Sequence, residues 1–224
     1  MKQCVYFISG LGADERVFSK LHLSHCKVIH LSWFDPEHGE TIESYAQKMS
    51  NKIVEEDTIL IGLSMGGMIA VEIAKIKKLK KVILISSCKT HKEFPLSIRL
   101  AAALHLPKLF RRRFLKVGGA IFYKLIGAES EDDKTLVRNL LKDASPNFVL
   151  WAVRTLPFWK NEIIPPNVYH IHGTNDHVLP IKYVKANEVI EGGGHLMVYN
   201  RAEECEKIIA LHVGAKDFSP SLHH

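Results

Sequence analysis

At 224 residues, with 46% hydrophobic and 24% charged positions, the chain has the composition of one large globular domain, or one domain carrying an insertion. That excludes collagen-like, disordered and membrane-embedded classes, and no stretch reaches the roughly 18 uncharged apolar residues of a membrane span. The formal charge of +6 is uneven, because residues 88–160 hold 14 Lys/Arg against 6 Asp/Glu, so basicity belongs to one segment.

The first apolar run, residues 4–9, is too short for a signal-peptide core and reads as a strand, which predicts a cytoplasmic protein. Further runs rich in β-branched residues at 27–33, 58–61, 81–86, 167–172 and 187–190 read as strands. They are near-continuously apolar, as a parallel sheet covered on both faces requires. Helical patterns fall between them at 41–54, 65–77 and 201–212. This alternation predicts an α/β fold, a mostly parallel sheet of about six strands flanked by helices.

About 80 residues separate the fourth strand from the fifth, too many for a structureless loop. Helix signals fill the gap: 95–105 closed by Pro107, 108–126 closed by Gly127, a capping box at Ser130 and Asp133, and Ser145-Pro146 opening 147–156. The expected organisation is a core of residues 1–89 and 161–215, an inserted helical cap at 90–160, and a tail at 216–224 ending in His223-His224. Cys4, Cys26, Cys88 and Cys205 are scattered with no CxxC pair, which predicts free thiols in a reducing compartment.

Gly62-Leu63-Ser64-Met65-Gly66 follows the third strand directly and opens an apolar helical run, the strand-turn-helix setting of a nucleophile elbow. A glycine-rich turn without chemistry is the alternative. A serine nucleophile needs a base. Among 13 histidines, His195 stands apart, delivered by Gly192-Gly193-Gly194 just before the last helix; a solvent-exposed loop histidine is its alternative. The base needs an orienting carboxylate, and Asp176, just past the fifth strand, is the candidate. A turn aspartate bonded to its own backbone is the lesser alternative, and Glu93, after the preceding strand, is the back-up acid. Backbone N–H groups must stabilise the developing oxyanion. Met65 supplies one at a helix N-terminus and Leu11, in the turn Ser9-Gly10-Leu11-Gly12-Ala13, the other. Leu11, Ser64, Asp176 and His195 each follow the C-terminal end of a different expected strand, and those ends share the ligand-binding edge of an open α/β sheet.

Over residues 3–87 and 165–212 this pattern resembles the α/β-hydrolase superfamily. The resemblance implies Ser64 as nucleophile, His195 as base, Asp176 as acid, and Leu11 and Met65 as oxyanion donors, with no cofactor and no metal. It implies hydrolysis of an ester-like bond in a small, partly apolar substrate through an acyl-enzyme. Acyl transfer, carbon–carbon hydrolysis, lyase chemistry or ligand binding without turnover remain open on the same fold. This chain has Ser9-Gly10 where family members often have His-Gly, and it starts at what would be the third family strand.

Apolar residues of the insertion exceed what its short helices need against one another: Leu100, Leu104, Leu106, Phe110, Phe114, Phe122, Tyr123, Phe148, Trp151, Phe158 and Trp159. Some are expected to face the catalytic edge, with Phe148 and Trp151 nominated for substrate binding. Two rival readings are weaker. His170-Ile171-His172 with Asp176-His177 resembles a stretched metal site without a downstream ligand cluster. Arg111-Arg112-Arg113 could attract nucleic acid, but no nucleic-acid motif accompanies it, and residues 104–110 could touch a membrane surface. The expected partner is therefore a small molecule, with no specific nucleic acid and no stable membrane insertion.

Overall fold

The six apolar runs form one sheet in a computed structural model that describes residues 2–109 and 119–214. β1 (Gln3–Ile8), β2 (Cys26–Leu31), β3 (Ile59–Leu63), β4 (Lys81–Ile85), β5 (Val168–Gly173) and β6 (Glu188–Ile190) lie in the order β2-β1-β3-β4-β5-β6. Every neighbouring pair is parallel, so the sheet is wholly and not merely mostly so.

Successive strand side chains point to opposite faces, and both faces are covered. Tyr6, Ile8 and Leu60 pack toward α1 (Ile42–Ser50) and α2 (Met65–Ile76). Val5, Phe7, Ile59 and Ile61 pack toward α7 (Met197–Asn200) and α8 (Ala202–Val213). Two-sided burial is why the strands read as continuous apolar runs. Thr41 caps α1 in a reciprocal box with Ser44. This helix stops four residues short of the expected end, because turns at Lys52 and Ile53 bring buried Ile53 into the core without continuing the spiral. All four cysteines are free and buried.

The long connection is helical, as expected: α3 (Leu96–Ala103), α4 (Ala120–Ile126), α5 (Glu131–Asp143) and α6 (Pro146–Thr155). Gly127 ends α4 in the left-handed conformation at φ +74°. Ser130 and Asp133 form the expected box at the start of α5, and the Ser145 hydroxyl caps α6. Of the expected helix 108–126, the described part is a 3-10 turn at Leu106–Leu109 followed by α4; Phe110, Arg111-Arg112-Arg113 and Phe114 lie outside the described residues, as do the tail and His223-His224.

The neck of the insertion is tied. Asn161 donates from Nδ2 to the Lys89 carbonyl at 2.8 Å, and His91 N–H donates to the Asn161 carbonyl at 3.0 Å. Among the described residues no helix is long and apolar enough to cross a membrane.

Candidate active site

Ser64 sits where β3 turns into α2. Its N–H donates to the Ile85 carbonyl at 2.9 Å and its own carbonyl accepts from the Ser87 hydroxyl at 2.6 Å. Held from both sides, it adopts φ +51°, ψ −120°, a strained conformation for a residue with a side chain. The flanking glycines are forced by close approach. A Cβ on Gly62 would lie 2.4 Å from the Gly66 carbonyl oxygen, and one on Gly66 would lie 2.3 Å from the Ser9 carbonyl oxygen. Only glycine lets strand and helix meet at that distance, and the hydroxyl is thrust out at the sheet's edge.

The Ser64 hydroxyl faces His195 Nε2 at 2.9 Å, and His195 Nδ1 faces Asp176 Oδ2 at 2.8 Å. A carboxylate only accepts, so Nδ1 carries the proton and Nε2 offers its lone pair to the serine. The other Asp176 oxygen accepts from the Val178 and Leu179 N–H groups at 2.9 and 2.8 Å. Asp176 thus faces His195 with one oxygen and its own backbone with the other. Glu93 is elsewhere: its carboxylate accepts from the Lys89 and Lys185 N–H groups and braces the neck of the insertion.

Burial alone would raise the Asp176 carboxyl, but the His195 charge, the hydrogen bonds from His195 and Leu179, and His172 together pull it below the ordinary carboxylate range. Behind it, the buried His172 donates from Nε2 to the Leu179 carbonyl at 2.7 Å and accepts at Nδ1 from His170 Nε2 at 3.1 Å. Burial lowers both imidazoles and keeps them neutral, His170 well below the usual histidine range. These rings are engaged with one another and with backbone, and among the described residues no group of three or more His, Cys, Asp or Glu could hold a metal ion.

A cavity of about 100 Å³ opens beside Ser64 and His195, lined by Leu11, Leu63, Phe122, Ile126, Val137, Leu141 and Leu196. A second hollow of about 280 Å³ is lined by Phe7, Phe18, Trp33 and Phe148. Gly12, Ala13 and Leu140 line both, so the Gly10–Ala13 turn is a wall between them. Leu11 is in that wall, and Met65 opens α2, where unpaired helix N–H groups and the helix dipole favour negative charge.

Of the nominated insertion aromatics, Phe122 lines the Ser64 cavity. Phe148 and Trp151 do not. Phe148 is 2% exposed, its ring 4.7 Å from Trp33, while Trp151 stacks on Tyr45 and donates from Nε1 to the Glu40 carbonyl at 2.8 Å. Burial and amphipathic spacing identify apolar residues but not the surface they meet. Sequence reasoning missed Ser87 and Trp33, which touch the elbow and the Gly10 carbonyl, and read His172, which touches Asp176, only as part of a metal site. One signal could have found them: each lies at or just past the C-terminal end of its strand, on the same edge as the rest.

A family model described as "Alpha/beta hydrolase family" matches residues 5–208. No curated protein sequence matches the chain. Among solved structures, an esterase from Exiguobacterium antarcticum superposes with a TM-score of 0.71 at 18% identity, covering 94% of this chain and 91% of that one. A bromoperoxidase from Bacillus anthracis gives 0.71 at 19% identity, covering 97% and 93%. The N-acyl homoserine lactonase AidH, complexed with N-hexanoyl homoserine, gives 0.66 at 16%, covering 100% and 92%. At such identities the likeness is one of fold.

Proposed function

The chain belongs to the alpha/beta hydrolase family, and from that premise we propose that it hydrolyses carboxylic esters carrying a short apolar acyl group, with Ser64 as nucleophile. The observation that carries this reading is the pair of hydrogen bonds, 2.9 and 2.8 Å, that link a strained serine through His195 to Asp176.

In the first half-reaction Ser64 Oγ attacks the ester carbonyl carbon as its proton passes to His195 Nε2. The carbonyl oxygen becomes an oxyanion facing the Leu11 and Met65 amides. The intermediate collapses, the bond to the alcohol oxygen breaks, and the imidazolium returns its proton to that oxygen. Water then repeats the sequence on the acyl-enzyme, giving up one proton to His195 while Ser64 Oγ takes it back as the acid departs. Asp176 stays ionised throughout; it fixes the tautomer of His195 and stabilises the imidazolium. The residues invoked act without a cofactor.

Cavity size supports the acyl assignment. The space beside Ser64 is small, about 100 Å³, and its walls are apolar apart from Ser64 and His195 themselves. Residues 90–160 act as the cap, since Phe122, Ile126, Val137, Leu140 and Leu141 close that space.

A fluorophosphonate probe with intact-mass detection tests the reading. One adduct on Ser64, abolished in Ser64→Ala together with hydrolysis of short-chain nitrophenyl esters, is the expected result. Labelling of another serine, or ester turnover surviving in Ser64→Ala, overturns it.

A further inference from the structure

The Leu11 amide sits in a turn tied by the Ser9 hydroxyl, which donates to the Ala13 carbonyl at 2.8 Å, and by Leu11 and Ala13 packing on the core. Cavities flank Gly12 and Ala13 on both sides, and two of the turn's four residues are glycine. Gly12 needs to be one: its φ of +71° is the left-handed conformation that the third residue of a type II turn takes. Gly10 lies directly against the nucleophile: a Cβ there would touch the Ser64 Cβ at 3.4 Å. None of these ties fixes the direction of the Gly10–Leu11 peptide from its far side, where Trp33 stands.

We propose that Trp33 is a positioning residue of the oxyanion site, its indole N–H gripping the Gly10 carbonyl and so aiming the Leu11 amide. The indole donates to the Gly10 oxygen at 3.1 Å, and the Ala13 N–H donates to the same oxygen at 3.1 Å. Both lone pairs of that carbonyl are used. The Gly10 C=O and the Leu11 N–H belong to one rigid trans peptide and point in opposite directions, so a grip on the oxygen sets the direction of the hydrogen. A hydrogen bond to the carbonyl also polarises the amide and strengthens its N–H as a donor.

Trp33 is itself held from the insertion. Phe148 packs on it at 4.7 Å, Tyr45 lies at 6.0 Å from it, and Trp151 stacks on Tyr45 at 4.7 Å. The aromatic residues of α6 therefore act on the reaction through the indole, and not by touching substrate. This deepens the proposed function and rests on it.

The test separates the N–H from the ring. Trp33→Phe keeps an aromatic ring, and site-specific replacement of Trp33 by 3-benzothienylalanine keeps the whole bicycle with sulfur in place of N–H. Both should lower kcat and the rate of fluorophosphonate labelling by about tenfold to a hundredfold, less than the loss of an oxyanion donor outright. KM should stay within about twofold. Benzothienyl protein that labels and turns over at the wild-type rate overturns the inference, as does a rise in KM with kcat unchanged. Failure of the wild-type protein to label at Ser64 would instead sink the hydrolase reading, whatever the Trp33 variants do.

Discussion

Along the sheet's edge, Leu11, Ser64 and Asp176 each follow the end of a different strand, and His195 follows β6 within five residues. Backbone hydrogen bonds hold their settings: the Ile85 carbonyl on Ser64, and the Val178 and Leu179 amides on Asp176. The helical insertion is held differently. Its second half is anchored by side chains, with Leu140 and Phe148 buried in the two core layers. Its first half buries none of the residues of α3 or α4 and leaves Leu96, Leu100 and Leu104 exposed. The contrast separates positions that govern chemistry from positions that govern stability, and predicts that few govern both.

The hardest test of that separation is Asp176→Asn. Asparagine still offers an oxygen to the Val178 and Leu179 amides, but presents N–H₂ where His195 Nδ1–H needs an acceptor. We expect kcat to fall by roughly three to four orders of magnitude, with a melting temperature close to wild type. A variant that unfolds along with losing activity would break the comparison.

Phe148→Ala tests the other side. Removing a buried ring wedged among Trp33, Tyr45 and Trp151 should cost about 3–5 kcal/mol in urea denaturation. Leu100→Ser, on a half-exposed side chain, should stay within about 0.5 kcal/mol. Equal losses would show that both halves of the insertion are structural.

The smallest effect is one of pH. His170 and His172 are neutral in the fold because burial lowers them, while in the unfolded chain they take protons near pH 6.5. Their contribution is complete above that pH and is lost as pH falls below it, at up to about 1.4 kcal/mol per unit for each. Asp176 has the same sign but a more acidic window, lost below about pH 4. His30 and His212, also lowered by burial, share the histidine window, so the informative measurement is a difference. Between pH 4.5 and 6.5, the urea midpoint of His170→Leu should fall less steeply than that of the wild type. Parallel curves would contradict the assignment.

Much of this edge was legible before any coordinates, because strand, turn and helix are local events with local signals. Gly62 and Gly66 announce a close approach, Gly127 a helix end, and Ser130 with Asp133 a beginning. Roles that depend on a partner far along the chain were not legible. Trp33 was only the last residue of an expected strand, since its role is set by where its N–H lands, 23 positions away at Gly10. Phe148 and Trp151 were recognisable as apolar excess, but amphipathic spacing cannot distinguish a wall of the pocket from the packing behind the wall. For Asp176, the sequence leaves two candidate partners, His195 and its own backbone, and the fold places one oxygen against each.

The order of the strands also has a meaning in time. Leu11 and Ser64 precede the insertion, while Asp176 and His195 follow it, with β5 and β6 adding to the sheet beyond β4. His195 comes 131 residues after Ser64, so at about 5–20 residues per second of synthesis Ser64 leaves the ribosome roughly 7 to 26 s before His195. During that interval Ser64 lacks the His195 hydrogen bond that it makes in the folded chain. On the proposed function, an ester can be turned over only once β5 and β6 have joined the sheet.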